Sequence, residues 1–520
     1  MKRRLFLSSV VAAAALSGCS FTGSQASRNG GANGTDRSLT VVTSYVISDL
    51  DPKNGGYWGP EFAYIELLMH PQVDGKPTPW VLSRLEAVDD LTWRLTLNEG
   101  VTFVNGKAFD ADALVRVLTW SKENVTGFSE VANLDEVAAD GPLTVTLTTT
   151  VATPSMPNLL ADESNVLVMD VEGYQQWEKS GEPPAALIEA GIYTGPYQVV
   201  TLDGRSAELA PVTDHWQGAP ALDRLRVRFV SETTARIQAV QSGEADLALY
   251  MPISAARTVA GRTDSFFLEG APSGLTHALI SRVASPVMRD AEVRRAIFEA
   301  IDYRAMAQDV LQGHGGHAKG VFPASFPYAI ATQTTDPASA AARLDTAGWA
   351  PGPDGMRKKD GRNLVVRVLC SSTMPDGVII AEAVQAQLKG VGIQVKVSQV
   401  DDLAAAREAD NWDVSLSSSL LSFGGSPDQG LFDLVATGGS YNYAKIGDPE
   451  LDRLIKELRL TAAEQRRNDI LQRVQTVLWE RGYYAVAAER LLTVVVGPTW
   501  QGYRVPLANL WVNHTTAPDS

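Results

Sequence analysis

The sequence predicts an α/β protein with mixed sheets, built from more than one lobe. Three observations carry this. Short runs rich in β-branched residues alternate along the chain with segments whose apolar residues recur at helical spacing. At 520 residues, the length corresponds to roughly two to four domains. No tandem repeat of fixed period marks a solenoid or propeller.

Folding is expected to begin at the strand Leu39-Thr40-Val41-Val42-Thr43. Thr92-Trp93-Arg94-Leu95-Thr96-Leu97 and Leu143-Thr144-Val145-Thr146-Leu147 alternate like half-buried strands. Between them, Ala113, Leu114, Val117 and Leu118 give residues 111–122 a helical stripe. Asp290 is placed to cap a helix with Val293, Ala296, Ile297, Ala300 and Ile301 on its buried face. Leu364 to Cys370 reads as a strand, which makes Cys370 a core residue rather than a nucleophile. A helix over 381–390 runs through Gly390 and Gly392 into the strand 393–397, and helices near 449–458 and 462–481 follow.

The formal net charge is −15, a balance that does not attract nucleic acid or anionic lipid. His314-Gly315-Gly316-His317 is the only close histidine spacing. It has no Cys or carboxylate beside it and reads as a solvated turn, not a metal site. Gly390-Val391-Gly392 ends a helix instead of starting one, so it is no phosphate cradle. No nucleophile elbow or P-loop lysine motif occurs. No catalytic residue, metal ligand or cofactor is therefore assigned. Tyr45, Tyr57, Trp58, Phe62 and Tyr64 form one aromatic cluster in a loop-rich segment; Phe423, Phe432, Tyr441 and Tyr443 form another. Such rings make ligand walls at small entropic cost, although any one of them taken alone is better read as a core residue.

The N-terminus has a basic head (Lys2, Arg3, Arg4), an apolar run from Leu5 to Leu16, and then Ser17, Gly18 and Cys19. This is the layout of a secretory signal peptide over residues 1–18. Leu16-Ser17-Gly18-Cys19 resembles the lipobox of bacterial lipoproteins, which implies lipid on the Cys19 thiol. Arg3-Arg4-Leu5-Phe6-Leu7 resembles a twin-arginine motif, and an ordinary basic head accounts for it as well. Cleavage before Cys19 would remove three cations and no acid, taking the charge to about −18. Residues 23–37 lack large apolar side chains and read as a flexible stretch with a span of roughly 20 Å, within a tether over 19–38. The apolar run is shorter than the ~20 residues a membrane-spanning helix needs.

Several further segments resemble one family, the extracytoplasmic solute-binding proteins of peptide/nickel type that serve ABC importers. They are Leu50-Asp51-Pro52, Val101 to Ala113 (VTFVNGKAFDADA), Tyr193-Thr194-Gly195-Pro196-Tyr197, His215-Trp216-Gln217-Gly218, Gly243-Glu244-Ala245-Asp246, Asp290 to Ala296, Ala347-Gly348-Trp349 and Asn442-Tyr443-Ala444. Ala108 replaces the family's usual proline. The resemblance implies a two-lobed periplasmic-binding-protein fold of type II, in its large peptide-binding variant, with a hinge. It places lobe I at 39–273 plus 487–520 and lobe II at 274–486. It also implies a monomer that captures a peptide or small organic solute and docks on ABC permease subunits, held at the outer face of the cytoplasmic membrane or in the periplasm. The family's peptide-pairing aspartate falls at Phe423, in the loop Leu421-Ser422-Phe423-Gly424. Asp428 offers a replacement carboxylate or, alternatively, a cap for a helix at 430–435. The arginine that nickel-type members use has no counterpart in 162–167, nor has their histidine in 437–443. The expected ligand-binding set is Tyr45, Tyr57, Trp58, Leu421, Ser422, Phe423, Gly424, Asp428 and Tyr441. A metal–chelate or another small organic solute is the alternative cargo. Outside the family, a lipid-anchored sensory or adhesion module is the competing reading, and an anchored hydrolase a more distant one.

Overall fold

The strand Ser38–Thr43 is paired on both sides, in parallel with Arg224–Phe229 and with Leu247–Leu249. Parallel strands are covered on both faces, which is why Leu39, Val41 and Val42 are all fully buried here. The chain is described, in a computed structural model, over residues 37–518 apart from 57, 73 and 422–426. The signal peptide, Cys19 and all but the end of the tether lie outside the described residues, as do Tyr57, Ser422, Phe423 and Gly424.

Two large mixed sheets organise the chain. The first has seven strands in the order Phe266–Glu269, Thr493–Val496, Leu247–Leu249, Ser38–Thr43, Arg224–Phe229, Ser206–Pro211, Tyr197–Leu202. The second has five, in the order Gln394–Val400, Val365–Ser371, Val414–Leu420, Leu275–Ser281, Tyr484–Glu489. A four-stranded antiparallel sheet (Leu82–Ala87, Thr92–Leu97, Thr144–Thr149, Leu134–Ala139) shares a core with the first. The second sheet has a separate core on each face. The chain passes between the two large sheets at 270–274 and again at 490–492. These crossings are tied together, since Gly270 N–H donates to the Leu492 carbonyl and Arg490 N–H to the Leu275 carbonyl, both at 2.9 Å.

The elements read from periodicity form close to where they are expected. The helix Ala111–Asn124 buries Ala113, Leu114, Val117 and Leu118. Asp110 starts it by accepting the Ala113 N–H at 2.9 Å. Asp110→Ala therefore removes a side-chain cap and is expected to cost about 1 kcal/mol; urea unfolding measures this, and Asp110→Asn should recover most of it. The helix Ala291–Glu299 is capped by Asp290, which accepts the Glu292 N–H. Cys370 is fully buried in Val365–Ser371, and burial raises its thiol pKa, away from the reactive thiolate.

The motifs quoted from the sequence mainly hold this framework together. Asp246 accepts the Thr40 N–H at 2.7 Å and fixes the end of a central strand. The Trp216 indole donates to Glu66 at 3.0 and 3.1 Å. Gly195 runs so close to a neighbouring turn that a Cβ there would sit 2.3 Å from the Ala63 carbonyl oxygen. The buried Asn442 amide donates to the Ala436 and Ile446 carbonyls and accepts the Ile446 N–H.

Candidate functional site

A cleft of about 750 Å³ separates two walls of different origin. One wall comes from the helix Thr126–Ala132, the turn 158–165 and Asn509. The other comes from the helix Leu403–Glu408, the strand Val414–Leu420, the helix Pro427–Val435 and Tyr441. Beside the cleft, the carbonyl of the lining residue Glu130 accepts from the Arg459 guanidinium at 2.8 Å.

The cleft is polar. Ser417, Ser418 and Ser419 line it from the middle strand of the second sheet, where aliphatic side chains are usual; Ser418 turns its hydroxyl to the other face of the strand, where it accepts from Arg490 Nη1 at 3.0 Å. Arg407 reaches the same wall, with Nε donating to the Ser415 hydroxyl at 2.9 Å. Desolvation lowers its pKa, no carboxylate pairs with it among the described residues, and its buried Nη2 has no hydrogen-bond partner.

Carboxyls line the facing wall. Burial pushes Asp162 up to about 6. Glu163, 8 % exposed, is raised well above the usual carboxylate range by burial and by the neighbouring Glu61 and Asp162. Behind it, Glu61 is pushed up to about 8 by burial, against the hydrogen bond that the Tyr250 hydroxyl donates at 2.7 Å. Asn165 is also buried, and its Nδ2 has no hydrogen-bond partner among the described residues.

Of the expected ligand residues that are described, Tyr441 alone lines this cleft, and it is largely exposed. Tyr45 lines a second cavity of about 630 Å³, packed edge-on against Tyr250 and tilted against Trp58. Trp58 and Leu421 are core residues, so neither presents a surface to a solute. Asp428 is no free countercharge and no cap. The helix starts one residue before it, at Pro427, and Arg467 Nη2 donates to both carboxylate oxygens at 2.7 and 2.9 Å. The residues missed in the sequence are Arg407, Asp162, Glu163, Asn165 and the serines. Ser417 to Ser419 did carry a signal, a polar run inside a strand that starts from the buried Val414 and Leu416. The others carry none, because their importance comes from facing one another across the fold.

Two α/β bodies joined by paired crossings around a polar cleft define a two-lobed binding protein. The profile of bacterial extracellular solute-binding proteins, family 5 Middle, matches residues 76–442. The chain belongs to that family, whose members bind peptides or other small solutes outside the cytoplasm and work with ABC permeases. It is the solute-binding component of an ABC importer. Among similar proteins, the glutathione-binding protein GsiB of Salmonella paratyphi A is 24 % identical over 78 % of this chain and 79 % of its own. The probable di/tripeptide-binding protein 5 of Pseudomonas aeruginosa is 25 % identical over 83 % and 85 %. The structure of NikA from Brucella suis with Fe(III)-EDTA superposes with a TM-score of 0.82 at 21 % identity, covering 93 % of this chain and all of that one. Among the described residues, no helix is long and apolar enough to cross a membrane.

Proposed function

We propose that this protein is a lipid-anchored monomer that captures a short peptide or a similar organic solute between its lobes and delivers it to a membrane permease. The cleft carries this reading. It is within the size range of small-molecule sites, and both bodies build its walls. Relatives that bind glutathione and di- or tripeptides support the peptide class. Lobe I is read as 39–273 plus the C-terminal return, and lobe II as the residues between. The strand Tyr484–Glu489 pairs in the second sheet, so the return begins near 490 rather than 487. Bound solute favours the closed arrangement only to the extent that it contacts both walls. Cys19 is read as the lipid attachment point, and the tether keeps the loaded protein within reach of its permease. The protein acts by binding and release, as a carrier rather than an enzyme.

A metal–chelate is the second reading, favoured by the likeness to nickel-binding proteins. One experiment separates the two. The protein is purified from its native host and denatured, and the released small molecules are identified by mass spectrometry. Peptides are expected; a metal-bearing eluate free of peptides overturns the peptide reading. The identified solute, added at about 100 times its Kd, is expected to stabilise the fold by ~2.7 kcal/mol, seen as a raised Tm.

A further inference from the structure

We infer that the cleft is a two-ended charge clamp for a zwitterion, with an ammonium held at the Asp162–Glu163 wall and a carboxylate held by Arg407. This rests on the reading of the cleft as the solute site and adds the charge pattern and orientation of the solute.

Glu163 is more than nine-tenths buried and lines the cleft, yet it accepts no hydrogen bond and meets no cation among the described residues. Buried carboxyls are ordinarily paired or hydrogen-bonded. The same absence recurs on the facing wall with opposite sign, in the buried and unpartnered Nη2 of Arg407. The third unpartnered group, Nδ2 of the buried Asn165, is a donor beside the acids and calls for a ligand oxygen there. The two charged ends lie on different elements and do not form an ion pair with each other, so a solute between them has to carry both countercharges. Other acids on the cleft are Glu130 and Asp433, and Asp433 is occupied by the Ser440 hydroxyl at 2.8 Å. Four acids against one guanidinium favour a solute whose cationic end is obligatory, and disfavour an anionic chelate. An α-amino group followed by an amide and a carboxylate meets all three unpartnered groups. A dicarboxylate or an N-blocked peptide does not.

The test uses the full mature chain, freed of endogenous solute by denaturation and refolding. It is offered a casein hydrolysate of di- to pentapeptides in untreated, N-acetylated and C-terminally amidated form. The twenty amino acids, carnitine and glutarate are offered separately. Mass spectrometry after gel filtration identifies what is retained, and calorimetry on retained compounds gives the affinities. Untreated peptides are expected to be retained, acetylated ones lost, and amidated ones weakened at least tenfold. Glu163→Gln is expected to weaken the retained compound ten- to hundredfold while leaving the empty protein as stable as the wild type or more so, because it removes an uncompensated buried carboxyl. Arg407→Gln should weaken carboxylate-bearing compounds and spare their amides. If no peptide is retained but carnitine or an amino acid is, with the same response to Glu163→Gln, the peptide reading fails and the clamp stands. Equal retention of acetylated peptides, retention of glutarate, retention of no zwitterion, or unchanged affinity in Glu163→Gln overturns the clamp.

Discussion

Asp413→Ala is expected to destabilise the fold by about 3–5 kcal/mol, measured by urea unfolding at pH 7. Asp413 is 1 % exposed at the entry to the middle strand of the second sheet. Arg367 grips it three times: Nη2 donates to Oδ1 at 2.7 Å, Nε to Oδ2 at 2.9 Å, and the backbone N–H to Oδ2 at 2.7 Å. The Ser285 hydroxyl donates to Oδ1 as well. Burial alone would raise this carboxyl, but the hydrogen bonds from Arg367 and Ser285 hold it below its ordinary value. Removing it strands a backbone N–H, a hydroxyl and a guanidinium that were solvated in the unfolded chain. Asp413→Asn keeps the volume and loses the charge, so it should fall between wild type and Ala. A loss under about 1 kcal/mol in Asp413→Ala would mean that water replaces the carboxylate, a surface-like outcome.

Stability should also fall as pH rises from about 5 to 8, and Glu61 is the main reason. Its folded pKa is raised from 4.5 to about 8. Across that window the fold keeps a proton that the unfolded chain gives up, so the free energy of unfolding declines with pH, by at most ~1.4 kcal/mol per pH unit for one group. The total is a few kcal/mol, and raised Glu163 acts in the same direction. Carboxylates held below their ordinary range, such as Asp413 and Glu299, lose their contribution only at more acidic pH. The buried His277, lowered to about 3, acts in the opposite direction below its unfolded value of 6.5, so the decline is steepest between about 6.5 and 8. Glu61→Gln retains a partner for the Tyr250 hydroxyl and has no proton to lose. It should flatten the profile and raise the Tm at pH 8. Thermal melts from pH 5 to 8.5 on both proteins decide this; parallel profiles would assign the slope to other groups.

The segments that make the family legible are legible for a physical reason. Asp110, Asp246, Asp290 and Asn442 bond to backbone groups near their own elements or at strand ends, and Gly195 is confined by a close backbone approach. Such roles demand one residue type at one place, and they leave a motif. The cleft leaves none. Asp162 and Arg407 are ordinary charged residues in sequence, and only the folded chain brings them to facing walls. Aromatic clustering pointed toward ligand walls, yet Trp58 supplies core area, because a large ring is as useful inside as beside a solute. Asp428 looked free because its partner Arg467 lies 39 residues further along the chain.

By itself, then, the sequence determined the α/β class, the main strands and helices, the family resemblance and the expectation of an exported, lipid-bearing N-terminus. Periodicity, caps and tight turns act over a few residues, so they are written locally. The tertiary structure decided which charges stay unpaired. Pairing is a property of distance in space, and burial sets its cost. It gave Asp428 to Arg467 and Asp413 to Arg367, and among the described residues it left Glu163 and the Nη2 of Arg407 on the cleft without hydrogen-bond partners.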